Sequence, residues 1–194
     1  MAFNLLRQSL AGVRVLVAFT VVLGLAYPLL VTGISQLLFN DQANGSLIER
    51  DGEVVGSSLI GQTFEGREWF HSRPSAAGEG YDPLATAGSN LGPESEVLLA
   101  LVEERRAAVA EEDGVDPADV PADALTASGG GLDPHISPEY AYQQVDRVAD
   151  ERGLNPAEVR GVVDDHVQGR ILGFLGGERV NVLELNLAVD GLGR

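Results

Sequence analysis

Three histidines, 29 carboxylates and 13 arginines are the side chains of this 194-residue sequence that could ligate a metal, move protons or hold an anion. His71, His135 and His166 stand far apart and fit no metal-ligand spacing such as H-E-x-x-H. Each reads as a histidine satisfied in a core or on a surface. Without cysteine there is no thiolate metal site and no disulfide. Without lysine there is no phosphate-binding P-loop, no Schiff base and no Ser–Lys dyad. No G-x-S-x-G elbow presents a serine nucleophile. Paired carboxylates can act as general acid and base, but among so many acids no pair is singled out. Ser128-Gly129-Gly130-Gly131 has the composition of a phosphate-cradling loop. No helix opens directly after it and Asp133 would repel phosphate, so it reads as a flexible turn. Asn44-Gly45-Ser46 matches the glycosylation tripeptide, a pattern common by chance. No catalytic constellation emerges.

The first element that must position these groups is an anchor. From Val15 to Asn40 the chain is uncharged, and at helical rise this run covers about 39 Å against a hydrocarbon core of about 30 Å. Leu, Ile, Val and Phe fill more than half of it. Each contributes about −0.3 to −0.6 kcal/mol to insertion near a helix centre, which together outweighs Thr20, Thr32, Ser35 and Gln36. The run predicts one membrane-spanning helix reaching from Val15 to Leu38, with a tolerated kink at Tyr27-Pro28. It exceeds the apolar region of a signal peptide, about 7–15 residues, and no small-x-small cleavage site follows. A lipoprotein anchor would need a cysteine. A buried soluble helix would show a polar face.

Arg7 and Arg14 precede the run, and Asp41 is the first charge after it. The positive-inside rule therefore predicts a short cytoplasmic N-terminus and anchor over residues 1–40. It places an extracytoplasmic domain at 41–194, in the inner (plasma) membrane of the cell. All 29 acids lie after Asn40 with 11 of the arginines, giving −18 there, and Arg7 and Arg14 bring the total to −16. This balance argues against nucleic-acid binding, which needs phosphate neutralisation. It would raise cation concentration at the surface without selectivity, and it equally suits solubility or a high-salt environment.

Beyond the anchor, Leu47 to Arg50 and Glu53 to Gly56 flank Asp51-Gly52 and predict a hairpin on a type I′ turn. From Ser72 to Pro93 the chain reads as a long irregular loop that Trp69 and Tyr81 could pin. Pro93 is expected to start a helix to about Glu112, with Val97, Leu98, Leu101 and Val102 inward and Glu103, Glu104, Arg105 and Arg106 solvated. A polar connector at 113–122 and a short strand around Ala124-Leu125-Thr126 are expected next. Ser137-Pro138-Glu139 then signals a helix capped at Gly153, and Asn155-Pro156-Ala157-Glu158 starts another that buries Val159, Val162 and Val163. After a Gly176-Gly177 turn, the alternation from Val180 to Val189 predicts a strand with a bulge at Val182/Leu183. Strands at both ends and helices between predict an α/β (α+β) domain behind a single N-terminal transmembrane helix.

Blocks spread along the chain carry a resemblance. They are Tyr27 to Leu30, Gln42 to Ile48, Gly61-Gln62 with Phe64, Phe70 to Ala76, and Gly88 to Leu91. Val120-Pro121, Thr126 to Ser128, Gly131 to Pro138, Arg147 to Ala149, and Val180 to Asn186 complete the series. In order and spacing this series resembles the C-subunit family of Kdp-type potassium-transporting ATPases, over nearly the full length. The resemblance implies a single-pass, non-catalytic accessory subunit of an ATP-driven potassium import complex. That subunit would be needed for assembly and would raise the ATP affinity of the catalytic subunit, as a catalytic chaperone. Its implied partners are a channel-like potassium-binding subunit and the P-type ATPase subunit that uses ATP with Mg, with a very small stabilising subunit as an optional companion. No cofactor is expected on this chain itself.

Under the predicted orientation the folded domain cannot touch cytosolic ATP, so any effect on nucleotide affinity must be indirect, through the anchor or a coupled equilibrium. Gly24, Gly33 and Ser35 would let partner helices approach the anchor closely. Arg73, Pro74, Ser75, Ser89, Asn90, Leu132, Asp133, His135 and Ser137 are the candidate partner-facing residues, with a role in holding loops together as the competing reading. The alternative classes are a membrane-anchored extracytoplasmic binding or sensor module, and an anchored hydrolase for which no nucleophile–base pair was found.

Overall fold

The computed structural model describes residues 2–193. They divide into two compact units, one ending at Leu47 and the other beginning at Ile48.

The first unit is dominated by a continuous helical rod: α1 (Ala2–Val21), a π-helical turn (Val22–Ala26) and α2 (Tyr27–Leu38). Between Asn4 and Leu38 its mean hydropathy reaches 2.3, long and apolar enough to cross a membrane. The helix starts well before Val15, because Leu5, Leu6, Arg7, Gln8, Leu10 and Ala11 are good helix formers. Charge ends the apolar stretch there, not the helix. Pro28 does not simply kink the rod. It has no N–H for the Gly24 carbonyl, and the preceding turn widens so that the Tyr27 N–H donates to the Val22 carbonyl five residues back. After Phe39 comes the short turn α3 (Asn40–Ala43). Here Gln36, Asn40 and Asn44, spaced four apart, form an amide ladder. Gln36 Oε1 accepts from Asn40 Nδ2 and Asn44 Nδ2, each at 3.1 Å, and Asn44 Nδ2 also donates to the Asn40 carbonyl at 2.8 Å.

The second unit opens on the expected hairpin, β1 (Leu47–Arg50) with β2 (Glu53–Ser57). Asp51 (φ 54°) and Gly52 (φ 84°) both take the positive φ of a type I′ turn. A long segment without regular structure leads to α4 (Glu96–Asp113), which Ser95 rather than Pro93 precedes and Gly114 closes at φ 69°. Val97 is exposed while Leu98, Leu101 and Val102 are partly buried. Glu103 and Glu104 face solvent as expected, but Arg105 and Arg106 do not. They donate to the carbonyls of Leu125 (2.9 Å) and Pro117 (3.2 Å) and so fasten the connector back onto the helix. The connector holds a 3₁₀ turn (Pro117–Asp119). Instead of the expected strand it ends in the helical turn α5 (Ala122–Leu125), which buries Ala124 and Leu125.

Helix α6 (Pro138–Arg152) matches its signals residue for residue. Ser137 Oγ accepts from the Tyr140 N–H at 3.0 Å and Gly153 closes it at φ 65°. In α7 (Pro156–His166), Asn155 caps the Ala157 N–H at 2.9 Å, and Val159 and Val163 are buried. A three-stranded antiparallel sheet runs in the order β3 (His135–Ile136), β5 (Arg179–Asn181), β4 (Val167–Gln168), with Ile136 and Val167 both opposite Val180.

The tail corrects the expected strand. After Asn181 the chain becomes helix α8 (Val182–Leu192). What looks like a bulge at Val182/Leu183 is the boundary between two elements. Asn181 Oδ1 accepts from the Glu184 N–H at 3.2 Å, and the buried set Val182, Leu183, Leu185, Asn186 and Val189 has helical spacing. Helices α6, α7 and α8 all contact β5, and the core gathers Phe70, Tyr140, Val145, Val148, Val159, Val163, Val180, Leu185 and Val189. The second unit is therefore a mixed helix-and-sheet domain.

Candidate functional site

The long loop is held by side chains that reach across the sequence. Ser75 Oγ donates to the Gly131 carbonyl at 2.7 Å and accepts from the N–H groups of Ala77 (3.1 Å) and Tyr81 (2.8 Å). The Tyr81 hydroxyl donates to the Arg73 carbonyl at 2.9 Å, so Tyr81 does pin the loop. Trp69, three residues before the loop, lies under the Arg152 guanidinium at 4.3 Å and beside Phe64, ring centres 6.1 Å apart. Gly131 sits at φ 71°, and a Cβ there would come within 2.7 Å of the Ala77 nitrogen. Only glycine lets the two loops close.

Arg73 and Asp133, sixty residues apart, meet at 3.1 Å, while Arg73 Nε and Nη2 also donate to the Thr126 carbonyl at 3.3 and 3.2 Å. Asp133 Oδ1 accepts from the His135 N–H at 3.1 Å and faces His135 Nδ1 at 3.2 Å. Ser137 donates from its N–H (2.6 Å) and hydroxyl (2.9 Å) to Asp123, whose part no local pattern signalled. Arg73, Asp133, His135 and Ser137 thus line one cleft of about 490 Å³ together with Asp123, Glu178 and Arg179. Pro74 and Ser75 border a neighbouring hollow of about 250 Å³ with His71 and Tyr81. Leu132 enters through its backbone, accepting from the Gly61 N–H at 2.9 Å. Ser89 and Asn90 are exposed and lie outside both clefts; Asn90 takes φ 52° and donates to the Gly88 carbonyl at 3.1 Å.

Burial by itself would raise the Asp133 carboxyl. Hydrogen bonds and charge from His135, and then the charge of Arg73, hold it below the usual carboxylate range. A depressed folded pKa stabilises the fold above the unfolded value, and that share disappears as pH falls through the folded value. Asp133→Asn is therefore expected to lower the urea midpoint at neutral pH. The difference from wild type should close in acid, below about pH 4. Equal sensitivity at all pH values would contradict this pairing.

A second polar centre is buried. Arg147 and Asp113 pair at 2.7 Å with side chains 1% and 3% exposed. Arg147 further donates to the carbonyls of Trp69 (2.9 Å) and Arg67 and to Gln144 Oε1 (2.7 Å), and Gln143 donates to Asp113 at 2.7 Å. Gln144 Oε1 also accepts from the His71 N–H at 2.6 Å. On the other side of the same segment, Asn186 accepts from the Phe70 N–H at 2.8 Å and donates to its carbonyl at 2.9 Å. Two buried amides thus treat residues 70–71 as a partner strand would.

The remaining histidines are also engaged: His71 Nε2 lies 2.9 Å from the Gly66 carbonyl and His166 Nδ1 2.8 Å from that of Val162. Among the described residues no group of three His, Cys, Asp or Glu is placed to hold a metal ion. The main cleft brings Asp123, Asp133 and Glu178 beside Arg73, Arg179 and His135, and Arg73 is already committed to Asp133 and the Thr126 carbonyl.

One helix long and apolar enough to cross a membrane, followed by a mixed helix-and-sheet unit, is the class of architecture this chain shows. Comparison with known proteins supplies the rest. The family model "K+-transporting ATPase, c chain" matches residues 9–191. Several bacterial proteins named potassium-transporting ATPase KdpC subunit align with nearly the whole chain. That of Kineococcus radiotolerans is 58% identical over 186 residues (96% of this chain, 94% of the relative). That of Mycobacterium tuberculosis is 54% identical over 188 residues (96% and 99%), and that of Koribacter versatilis 49% over 185 (95% and 95%). The chain belongs to the KdpC family, the c chains of potassium-transporting ATPases.

Proposed function

We propose that this chain is the accessory subunit that assembles an ATP-driven potassium importer and raises the ATP affinity of its catalytic subunit. The observation that supports the reading most is the family match from residue 9 to residue 191. The N-terminal rod crosses the inner membrane with Arg7 and Arg14 inside, and the acid-rich unit lies outside, on the side from which potassium enters. There its negative potential raises local cation concentration. ATP with Mg belongs to the catalytic subunit, and this chain acts on it through coupled equilibria between packed helices. The clasp around Arg73, Ser75, Asp133, His135 and Ser137 gives the partners a fixed surface.

Omitting the chain from the purified complex should raise the KM for ATP, and adding it back should lower it. The expected change is about 5–150-fold, the range of ordinary allosteric couplings. By reciprocity, the factor by which this chain tightens the dissociation constant for ATP is the factor by which ATP tightens retention of this chain. An ATP KM indifferent to the chain would overturn the affinity role.

A further inference from the structure

Residues 169–175, between β4 and β5, form a finger that carries four large, exposed apolar side chains. Ile171, Leu172, Phe174 and Leu175 are 57%, 79%, 70% and 47% exposed. The backbone beneath them is tightly set. Ile171 and Leu175 exchange N–H···O bonds of 3.0 and 2.9 Å, and the Gly173 N–H donates to the Arg170 carbonyl at 3.0 Å. Leu172 is held at φ 54°, a left-handed backbone that a leucine rarely adopts, with Gly173 at φ 81° beside it. A soluble unit gains nothing from keeping four large apolar side chains in water on a strained turn. Clusters of this kind mark contact surfaces.

We infer that this finger inserts into an apolar pocket on another subunit of the same transporter. Family membership makes the chain one part of a multi-subunit machine, so a protein partner is required in any case. The charge pattern selects protein over lipid. The unit is strongly acidic, and the finger's apolar side chains are flanked by Arg170, Glu178 and Arg179, a net of one positive charge, well short of the basic cluster that anionic headgroups attract. A defined turn geometry suits a shaped pocket, whereas a lipid surface asks only for apolar area. The finger is then the apolar anchor of the interface, and Phe174, its one aromatic, is the expected energetic centre.

The test uses the intact complex. Leu172→Asn keeps a residue that tolerates left-handed backbone, and Phe174→Ser removes the ring. The double variant should be retained by the complex about tenfold or more weakly than wild type, as for loss of an interface hot spot. Leu84→Ser, at a site 96% exposed elsewhere in the unit, should be retained normally. Independently of folding, a photo-crosslinker at position 174 in the assembled complex should join this chain to another transporter subunit, identified by mass spectrometry. Undiminished retention of the double variant, or crosslinks solely to lipid or to a second copy, would overturn the proposal. It rests on the assembly reading. If wild type itself is not retained, both fall; if wild type and variant are retained alike, only the finger's role falls.

Discussion

Arg147→Ala is expected to lower the unfolding free energy of the folded unit by about 3–5 kcal/mol, out of a total of about 5–15 for domains of this kind. The substitution leaves Asp113 charged, buried and without its guanidinium, in the last turn of α4 where the helix dipole also opposes a negative charge. It also removes the donor shared by the carbonyls of Trp69 and Arg67. Urea unfolding of the full chain in detergent, followed by the fluorescence of Trp69, the only tryptophan, measures this directly. Replacing both partners by aliphatic residues, Arg147→Met with Asp113→Leu, should recover a large part of the loss, because no unpaired charge then remains. A single-variant loss below about 1 kcal/mol would show the pair to be solvated, as surface pairs are.

Asn186→Leu is expected to cost about 2–4 kcal/mol, because it strands both the N–H and the carbonyl of Phe70, each a buried group worth about 1–3 kcal/mol when unsatisfied. Here the damage should be local before it is global. Phe70 is fully buried and carries the start of the long loop into the core, so its release frees the chain on either side. Trypsin should then cut after Arg67 faster than in wild type, with Arg105 and Arg160 less affected. Uniform acceleration at all three sites would mean that the amide supports the whole fold and not this segment.

Local chemistry made some elements readable and long-range pairing hid the others. Helix α6 was legible because Ser137-Pro138 and Gly153 act within a turn of the residues they cap. The type I′ hairpin was legible because Asp51-Gly52 leaves few other conformations. The tail misled because Leu183, Leu185, Leu187 and Val189 alternate as a strand would, and only the burial of Val182, Asn186 and Val189 on one side reveals the helix. Asn181, which caps α8 and also donates to the Ser58 carbonyl at 2.9 Å, is the pivot, and half of its role lies more than a hundred residues away.

The candidate site divides in the same way. Arg73 and Asp133 were visible as members of separate blocks but not as a pair. Arg147 and Asp113 looked like ordinary helix and connector charges, and their burial depends on packing that no short window contains. Arg105 and Arg106 show the opposite error, since charges on an outward face were spent on backbone carbonyls.

The central claim is that the acid-rich unit stands on the far side of the membrane from ATP. The chain has no cysteine, so a single Leu84→Cys, at a position 96% exposed, gives one unambiguous label site. In sealed right-side-out vesicles a membrane-impermeant maleimide should label it fully before any detergent is added. Labelling that appears only after the membrane is opened would place the unit in the cytosol and contradict the account.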